Sequence, residues 1–322
     1  MALNWDNVTA LTRNLILPGL EDQIFNSNPF LMKMYQKGRK VQGGVKILQP
    51  LEYAGTSAAD SYSGYDTFST TPNEMFTDAE YEWRQNYVTI NISGLEERKN
   101  SGDNAVISLL TSKVNNARKT LEDNLGYQLF AYGNSSDTAT HGRGAEGIQG
   151  LLSAVDDSSN VDSYGGITRS TYTWWKSGYT SWSATAVSES AIQGIIGDRT
   201  IGNSRPDMIL THQDIYDKIF SLLVDKQRYG SEEMLKAGFQ SVVVNGIPVV
   251  VDSHCGSTDI WFLNTSDDKL DFISHQDAAF KFEPFQKPVD ADARTASIIH
   301  QGNLVSGACW RQARVHSVNT AL

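Results

Sequence analysis

Cysteine is nearly absent: Cys255 and Cys309 are the only two in 322 residues, and no C-x-x-C pair occurs. That excludes a disulfide framework and a cysteine-rich zinc site, and both thiols read as small buried hydrophobes. Clustered positive charge is also missing. Lys and Arg total 27 against 37 Asp and Glu, a net charge of −10. A protein that grips nucleic acid through its phosphates carries a concentrated cationic face, so tight direct binding to DNA is not expected. Long hydrophobic runs are lacking too. The apolar run Leu15–Leu17, close to Asp6 and Arg13, is too short for a signal core, and nothing later approaches the ~20 apolar residues of a membrane span. A soluble chain made in a cytoplasm is expected.

Signatures of catalysis are equally scarce. The chain has no G-x-S-x-G, no H-E-x-x-H and no phosphate-binding Lys loop. Gly142, Gly144 and Gly147 match G-x-G-x-x-G, but a dinucleotide site needs a strand before the glycines and a helix after them. Here NSSDTATH precedes, at the end of a helical pattern, so a loop is expected. Asp252, His254 and Cys255 invite a nucleophile or metal-ligand reading. Neighbouring strand residues point to opposite faces, however, and a strand-end turn explains them better. The acidic pairs Glu96-Glu97, Asp156-Asp157, Glu232-Glu233 and Asp267-Asp268 read as solvated caps and loops, because a glycosidase needs carboxyls opposed across a substrate. Trp174, Trp175 and Trp182 could stack on sugars, or serve a core or a subunit contact. Neither a catalytic residue nor a cofactor or metal ligand set is expected.

The most telling segment is residues 41–93. One limb runs Val45, Ile47, Leu51, Tyr53 in near alternation; the other carries Ala79, Tyr81, Trp83 and then changes frame to Val88, Ile90, Ile92. Alternation over this length predicts a two-stranded ribbon, and the frame change predicts a bulge. Between the limbs lies a polar tip, Gly55–Thr77. An isolated two-stranded ribbon is marginal in water, so this one is expected to lie on a surface supplied by another copy.

Residues 1–40 read as an arm with no sustained period. A long amphipathic helix is predicted over Asp103–Tyr132, from Ile107, Leu110, Val114, Ala117, Leu121, Leu125, Leu129 and Tyr132 at three- and four-residue steps, stopped by Gly133-Asn134. Gly126 inside it costs about 1 kcal/mol relative to Ala. An α/β region follows: helices Glu189–Ile196 and Gln213–Gln227, a buried strand Met208–Leu210, and a hairpin turning on Asn245-Gly246. Pro248 implies an edge or a solvent-facing amide. From Ile260 the chain is strand-like, with Glu283–Asp292 as a turn. The fold class is α+β.

Four segments together resemble the major capsid proteins of tailed bacteriophages. They are YGGITRSTYTWWKSGY (Tyr164–Tyr179), RPDMILTHQDIYDKIFSLL (Arg205–Leu223), RYGSEEMLKAGFQSVVVNGIPVVVDS (Arg228–Ser253) and TASIIHQGNLVSGACWRQARVHSV (Thr295–Val318). The resemblance implies a Hong Kong phage-type capsid fold. Residues 1–40 would be the N-terminal arm and 41–93 the extended loop. Residues 94–147 and 275–322 would form the peripheral domain with spine helix 103–132, and 148–274 the axial domain. It further implies pentamers and hexamers of an icosahedral shell enclosing double-stranded DNA without specific binding. The location would be the virion, after assembly in a host bacterial cytoplasm.

The ribbon side chains Val45, Ile47, Tyr53, Tyr65, Phe68, Phe76, Tyr81 and Trp83 are the expected contacts between subunits. A portal is implied, as is a separate scaffolding protein, since the chain reaches the arm within a few residues. A decoration protein is compatible; a membrane partner is not expected. Lys46, the sole Lys between Val41 and Arg98, has no marked cross-linking partner. The alternatives are an encapsulin-like compartment shell and, in another class, a carbohydrate-binding protein.

Overall fold

The computed structural model describes residues 28–99, 109–133, 146–185, 187–227, 242–266, 269–288 and 292–319. In chain order these hold α1 (Pro29–Lys37), β1 (Lys40–Val41), β2 (Ile47–Glu52), β3 (Phe76–Tyr81), β4 (Arg84–Ser93), α2 (Gly94–Lys99), α3 (Leu109–Leu129) and α4 (Leu151–Ala154). Next come β5 (Ser163–Tyr164), β6 (Ile167–Thr168), β7 (Gly178–Ser181), α5 (Glu189–Asp198), β8 (Met208–Thr211) and α6 (Gln213–Gln227). The remainder is β9 (Val243–Val244), β10 (Ile247–Val251), β11 (Ile260–Leu263), β12 (Asp271–His275), β13 (Lys281–Gln286), β14 (Ala293–Val305) and β15 (Ala313–His316). The chain forms two compact units, and both α3 and β14 run through a boundary between them.

The described part of the first unit comprises residues 87–99, 109–121, 282–288 and 292–298. Its buried side chains are Ile90, Ile92, Ala117, Leu121, Ala296 and Ile298. Helix α2 starts on a reciprocal cap: Ser93 N donates to Glu96 Oε2 and Glu96 N to Ser93 Oγ, both at 3.2 Å. This S-x-x-E arrangement satisfies two donors that a helix start leaves without partners. Lys113 of α3 donates to Glu96 Oε2 at 2.8 Å and to Asn91 O at 3.0 Å. Arg98 pairs with Asp292 at 2.7 Å.

The second unit is built on a six-stranded mixed sheet, ordered β7-β15-β11-β8-β10-β9. Helices α5 and α6 lay Ile192, Ile196, Ile215 and Ile219 into one core with Ile209, Val249, Phe262 and Val315 of the sheet. Ser188 caps α5, as its hydroxyl accepts from Ala191 N at 3.3 Å. The predicted hairpin is β9–β10. Asn245 and Gly246 both hold positive φ, +50° and +77°, the conformation a two-residue type I′ turn requires. Pro248 is exposed, and its partner strand β9 has two residues at the sheet edge. Strand β8 is buried throughout, and α6 matches the predicted span.

Several expectations change. The frame change in the ribbon is a strand break at Glu82-Trp83 rather than a bulge: β3 pairs with β2, whereas β4 pairs with β14. Val45 lies outside the strand, which begins at Ile47. Strand β13 reaches Gln286, so the turn predicted over Glu283–Asp292 starts later. Residues 29–40 of the predicted arm, and Val41 of the predicted ribbon, belong to the second unit. Phe30, Leu31 and Met34 of α1 are buried, and β1 pairs in parallel with β12. A stripe this short carries too little periodicity to be read from sequence. Residues 1–27 of the arm, 103–108 of the predicted long helix, and Gly142 and Gly144 lie outside the described residues.

Helix α3 ends at Leu129, before the predicted Tyr132. Phe130 N and Ala131 N bond to Tyr127 O and Gln128 O at 3.1 Å, tightening the last turn to the three-residue pattern common at helix ends. Gly126 has a role that its propensity hides. A Cβ there would lie 2.8 Å from Asn28 Nδ2, the amide that donates to Glu122 O at 2.8 Å. We therefore expect that Gly126→Ala does not deliver the ~1 kcal/mol of helix propensity, because the gain is offset by the displaced Asn28 bond. Thermal melts of the two proteins check this; an increase in stability by the full amount would show that Asn28 moves aside freely.

Candidate functional site

The ribbon carries the residues expected to act between subunits, and its register divides them by face. Strands β2 and β3 pair antiparallel from Ile47↔Tyr81 to Glu52↔Phe76. Because side chains alternate across a strand, Ile47, Leu51, Ala79 and Tyr81 share one face, and all four are buried. Leu48, Pro50, Glu52, Phe76, Asp78 and Glu80 occupy the other and are exposed. Lys46 Nζ meets Glu80 Oε2 at 2.6 Å on that wet side.

The buried face rests on its own chain. Tyr81 Oη donates to Ser306 O at 2.8 Å and accepts from Ser306 N at 3.3 Å, and its ring meets Tyr164 edge-on at 5.2 Å. Glu80 N donates to Gly165 O at 2.9 Å. Gly165 holds φ +61°, and a Cβ on it would lie 2.9 Å from the Tyr81 ring, so only glycine suits both the turn and the contact. Further along, Tyr53 stacks on Trp174 at 5.1 Å with the planes 14° apart.

The seat is itself held from behind. Tyr164 Oη donates to Leu304 O at 3.0 Å, and Trp175 Nε1 to Tyr164 O at 2.9 Å. Fully buried Arg169 donates to Ser153 O, Ala154 O and Val161 O and lies 5.4 Å from the Tyr164 ring centroid. Burial raises the phenols of Tyr81 and Tyr164 well above the ordinary tyrosine range, keeping both as neutral donors.

Beyond Tyr53 the ribbon changes character. Residues 55–72 are exposed without exception and contain no strand. Local bonds shape the tip, such as Asn73 Nδ2 to Ser57 Oγ at 2.8 Å and Ser63 N to Asp66 Oδ2 at 2.7 Å. It presents Tyr62, Tyr65 and Phe68, with Tyr62 and Phe68 edge-to-face at 5.0 Å. The predicted contact residues therefore fall into three groups. Val45, Tyr65, Phe68 and Phe76 are exposed; Tyr53 and Trp83 are half-buried; Ile47 and Tyr81 are covered within the chain. The expectation that the whole ribbon lacks anything of its own to pack on is corrected for its base. Sequence reading missed Tyr62 in the tip and the roles of Tyr164, Gly165 and Ser306 in the seat, while Trp174 takes the packing role weighed against sugar stacking. Alternation signals a buried face, but carries no information on what covers it.

The other weighed residues resolve simply. His254 turns to Asp252 and Asp123, while Cys255 Sγ turns to Gly256 O and Asp259 O; β10 ends at Val251, so both stand in the expected strand-end turn. Cys255 and Cys309 are both buried and free, and burial pushes both thiols up. Trp175 and Trp182 are buried and Tyr53 stacks on Trp174, which leaves no flat exposed platform of three indoles. Asp156 is buried and accepts from Asn160 N and Val161 N. Glu232-Glu233 and Asp267-Asp268 lie outside the described residues. Among the described residues there is no cluster of His, Cys, Asp or Glu that could hold a metal ion, and no helix long and apolar enough to cross a membrane.

A mixed α+β chain with an extended ribbon, a long helix and a separate sheet-and-helix core has the architecture of the Hong Kong phage-type capsid fold. Solved structures share it along their full length. The cyanophage A-1(L) capsid subunit superposes with a TM-score of 0.73 at 16% identity, covering 98% of this chain and 99% of that one. The capsid of Myoviridae phage XM1 gives 0.61 at 12% identity, with 99% of each chain covered. The SrpI encapsulin of Synechococcus elongatus PCC 7942 gives 0.61 at 10% identity, covering 100% and 98%. No family model matches the chain, and no curated protein matches it in sequence.

Tyr81→Phe leaves the buried N–H and C=O of Ser306 without this partner, and we expect it to destabilise the protein by about 1–3 kcal/mol. Tyr65→Ser, on the exposed tip, should stay within about 0.5 kcal/mol. Urea denaturation of both measures this; equal midpoints would refute the seat as the ribbon's anchor.

Proposed function

We propose that this chain is the major capsid protein of a tailed bacteriophage. It assembles as pentamers and hexamers into an icosahedral shell that encloses double-stranded DNA. The observation that carries this reading is a capsid-type fold whose ribbon is anchored at its base and offers an exposed aromatic tip. Tyr62, Tyr65, Phe68 and Phe76 are large apolar side chains that water solvates poorly, and a neighbouring copy is the surface they would be buried on. A specific contact covers about 800 Å² per partner. Val45 would join them, with Tyr53 and Trp83 at the margin. Ile47 and Tyr81 contribute indirectly, by holding the base still.

The role is structural rather than enzymatic. In this reading residues 42–81 serve as the extended loop, and the six-stranded sheet, including β15, serves with α5 and α6 as the axial domain. A net charge of −10 suits a lining along which packed DNA slides without specific binding. A portal and a separate scaffolding protein would complete the assembly in the host cytoplasm, and the mature protein resides in the virion. The similarity to an encapsulin supports a second reading, a compartment shell around a cargo enzyme. Neighbouring terminase and portal genes favour the first, and an adjacent cargo gene the second.

Deleting Thr56–Pro72 removes the tip and spares the anchored base. The shortened protein is expected to be soluble and folded, and to form rings or smaller species but no closed shells by negative-stain electron microscopy. Closed particles like those of the full chain would remove the tip from the assembly interface.

A further inference from the structure

Within the second unit, helix α1 has a histidine of opposite character near each end, one acting through Asp252 and the other in direct contact. At its N-terminal end, Phe30 N donates to Asp252 Oδ2 at 3.3 Å. Asp252 Oδ1 is 3.1 Å from His254 Nδ1, and His254 Nε2 is 2.8 Å from Asp123 Oδ1 on α3. Tyr127 covers the His254 ring at 4.4 Å, and Asn28 is tied to Glu122 O next to Asp123. The groups facing His254 are thus two carboxylates and a phenol ring, and the side chain itself is fully covered.

One turn further on, Tyr35 enters a cage of rings. His300 of β14 stacks on Phe272 of β12 at 5.6 Å, and both rings meet Tyr35, at 5.8 Å and 5.4 Å. Phe280 closes the cage at 5.4 Å from His300 and 5.3 Å from Tyr35. His300 is fully buried, and neither ring nitrogen has a hydrogen-bond partner. Tyr35 is the titratable group in the cage, and Glu122 is near enough to act on its phenol electrostatically. Neither His300 nitrogen is bonded to an acceptor or paired with a carboxylate. Near the helix's C-terminal end Lys33 and Lys37 meet Asp207 at 3.6 and 3.4 Å, partly exposed pairs that hold weakly. Arg39 meets buried Asp271 at 2.6 Å, and β1 is bonded to β12 through Ser274 N and Gln276 N.

We propose that α1 is an acid-released strap: protonation of His300 frees its C-terminal half from β12 and β14, while the Asp123–His254–Asp252 bridge keeps its N-terminal end pinned. The two histidines respond to acid with opposite signs. Burial pushes His300 down to about 4, so its contribution is present above its ordinary value near 6.5 and is lost as pH falls toward 4. For His254 burial pulls the pKa down, but the bonds and charges of Asp252 and Asp123 outweigh it and leave it raised. Its contribution is therefore full in mild acid and is lost as pH rises through that raised value.

With His300 titrating near 6.5 when free and near 4 in the cage, the opening equilibrium increases about thirtyfold between pH 7.5 and pH 5. Amide hydrogen exchange of the full-length chain, corrected for intrinsic rate, reads this directly. Segments 33–41, 271–275 and 299–303 should open about thirtyfold more at pH 5, while 28–31, 122–128 and 252–255 should open no more, and if anything less, than at pH 7.5, because His254 gains its charge between two carboxylates. Unchanged exchange, or an equal rise in both sets, overturns the proposal, and wild-type protein alone decides it. His300→Phe keeps a ring in the cage and should abolish the acid response; a thirtyfold rise that persists in it also overturns the proposal.

Discussion

The ribbon hangs on Tyr81. Its hydroxyl both donates to and accepts from the backbone of Ser306, and its ring is held edge-on against Tyr164. A buried phenol without partners would cost more than its bonds return. The position is tolerable only because Ser306, more than two hundred residues downstream, presents an N–H and a C=O together. With Tyr81 seated, the antiparallel register places Ile47, Leu51 and Ala79 inward and sends Phe76 and Leu48 to the water. Everything proposed about the tip depends on that choice of face.

The result is a ribbon of unequal halves. Its base is packed into the chain's own core. Its tip, residues 55–72, is exposed throughout, well beyond the ~12–15 residues at which structureless loops become uncommon unless functional. In the proposed reading, an element arranged this way would present an adhesive surface at a fixed point on a subunit already folded. That is a useful property in a shell, where subunits must fold first and associate afterwards. The segment Tyr164–Tyr179, which carries the resemblance to phage capsid proteins, supplies much of the seat: Tyr164 and Gly165 under Tyr81, and Trp174 under Tyr53.

Much of the fold is legible from local pattern. Helix α6 is bounded as its amphipathic stripe predicts, Asn245-Gly246 makes its hairpin, and Met208–Leu210 is buried as its continuous apolar run implies. These features depend on residues within a few positions of one another. What was misread depends on distant ones. The frame change at Trp83 looks like a bulge within one strand because both limbs alternate; only the pairing of β4 with β14 shows that two strands are involved. Gly126 looks like a flaw in a helix until Asn28 is found against it. Helix α1 is too short to announce itself, and is held by Asp252, Asp207 and a ring cage drawn from β12 and β14.

By itself, the chain's residue order determined helix α6, the hairpin and the alternating limbs, because periodicity and turn preference act over short range. Tertiary structure decided which ribbon face is covered and by what, which aromatic residues remain exposed, and which histidine sits among carboxylates and which among rings. Those are contacts between residues far apart in the chain, and burial and dielectric environment exist only once such contacts have formed.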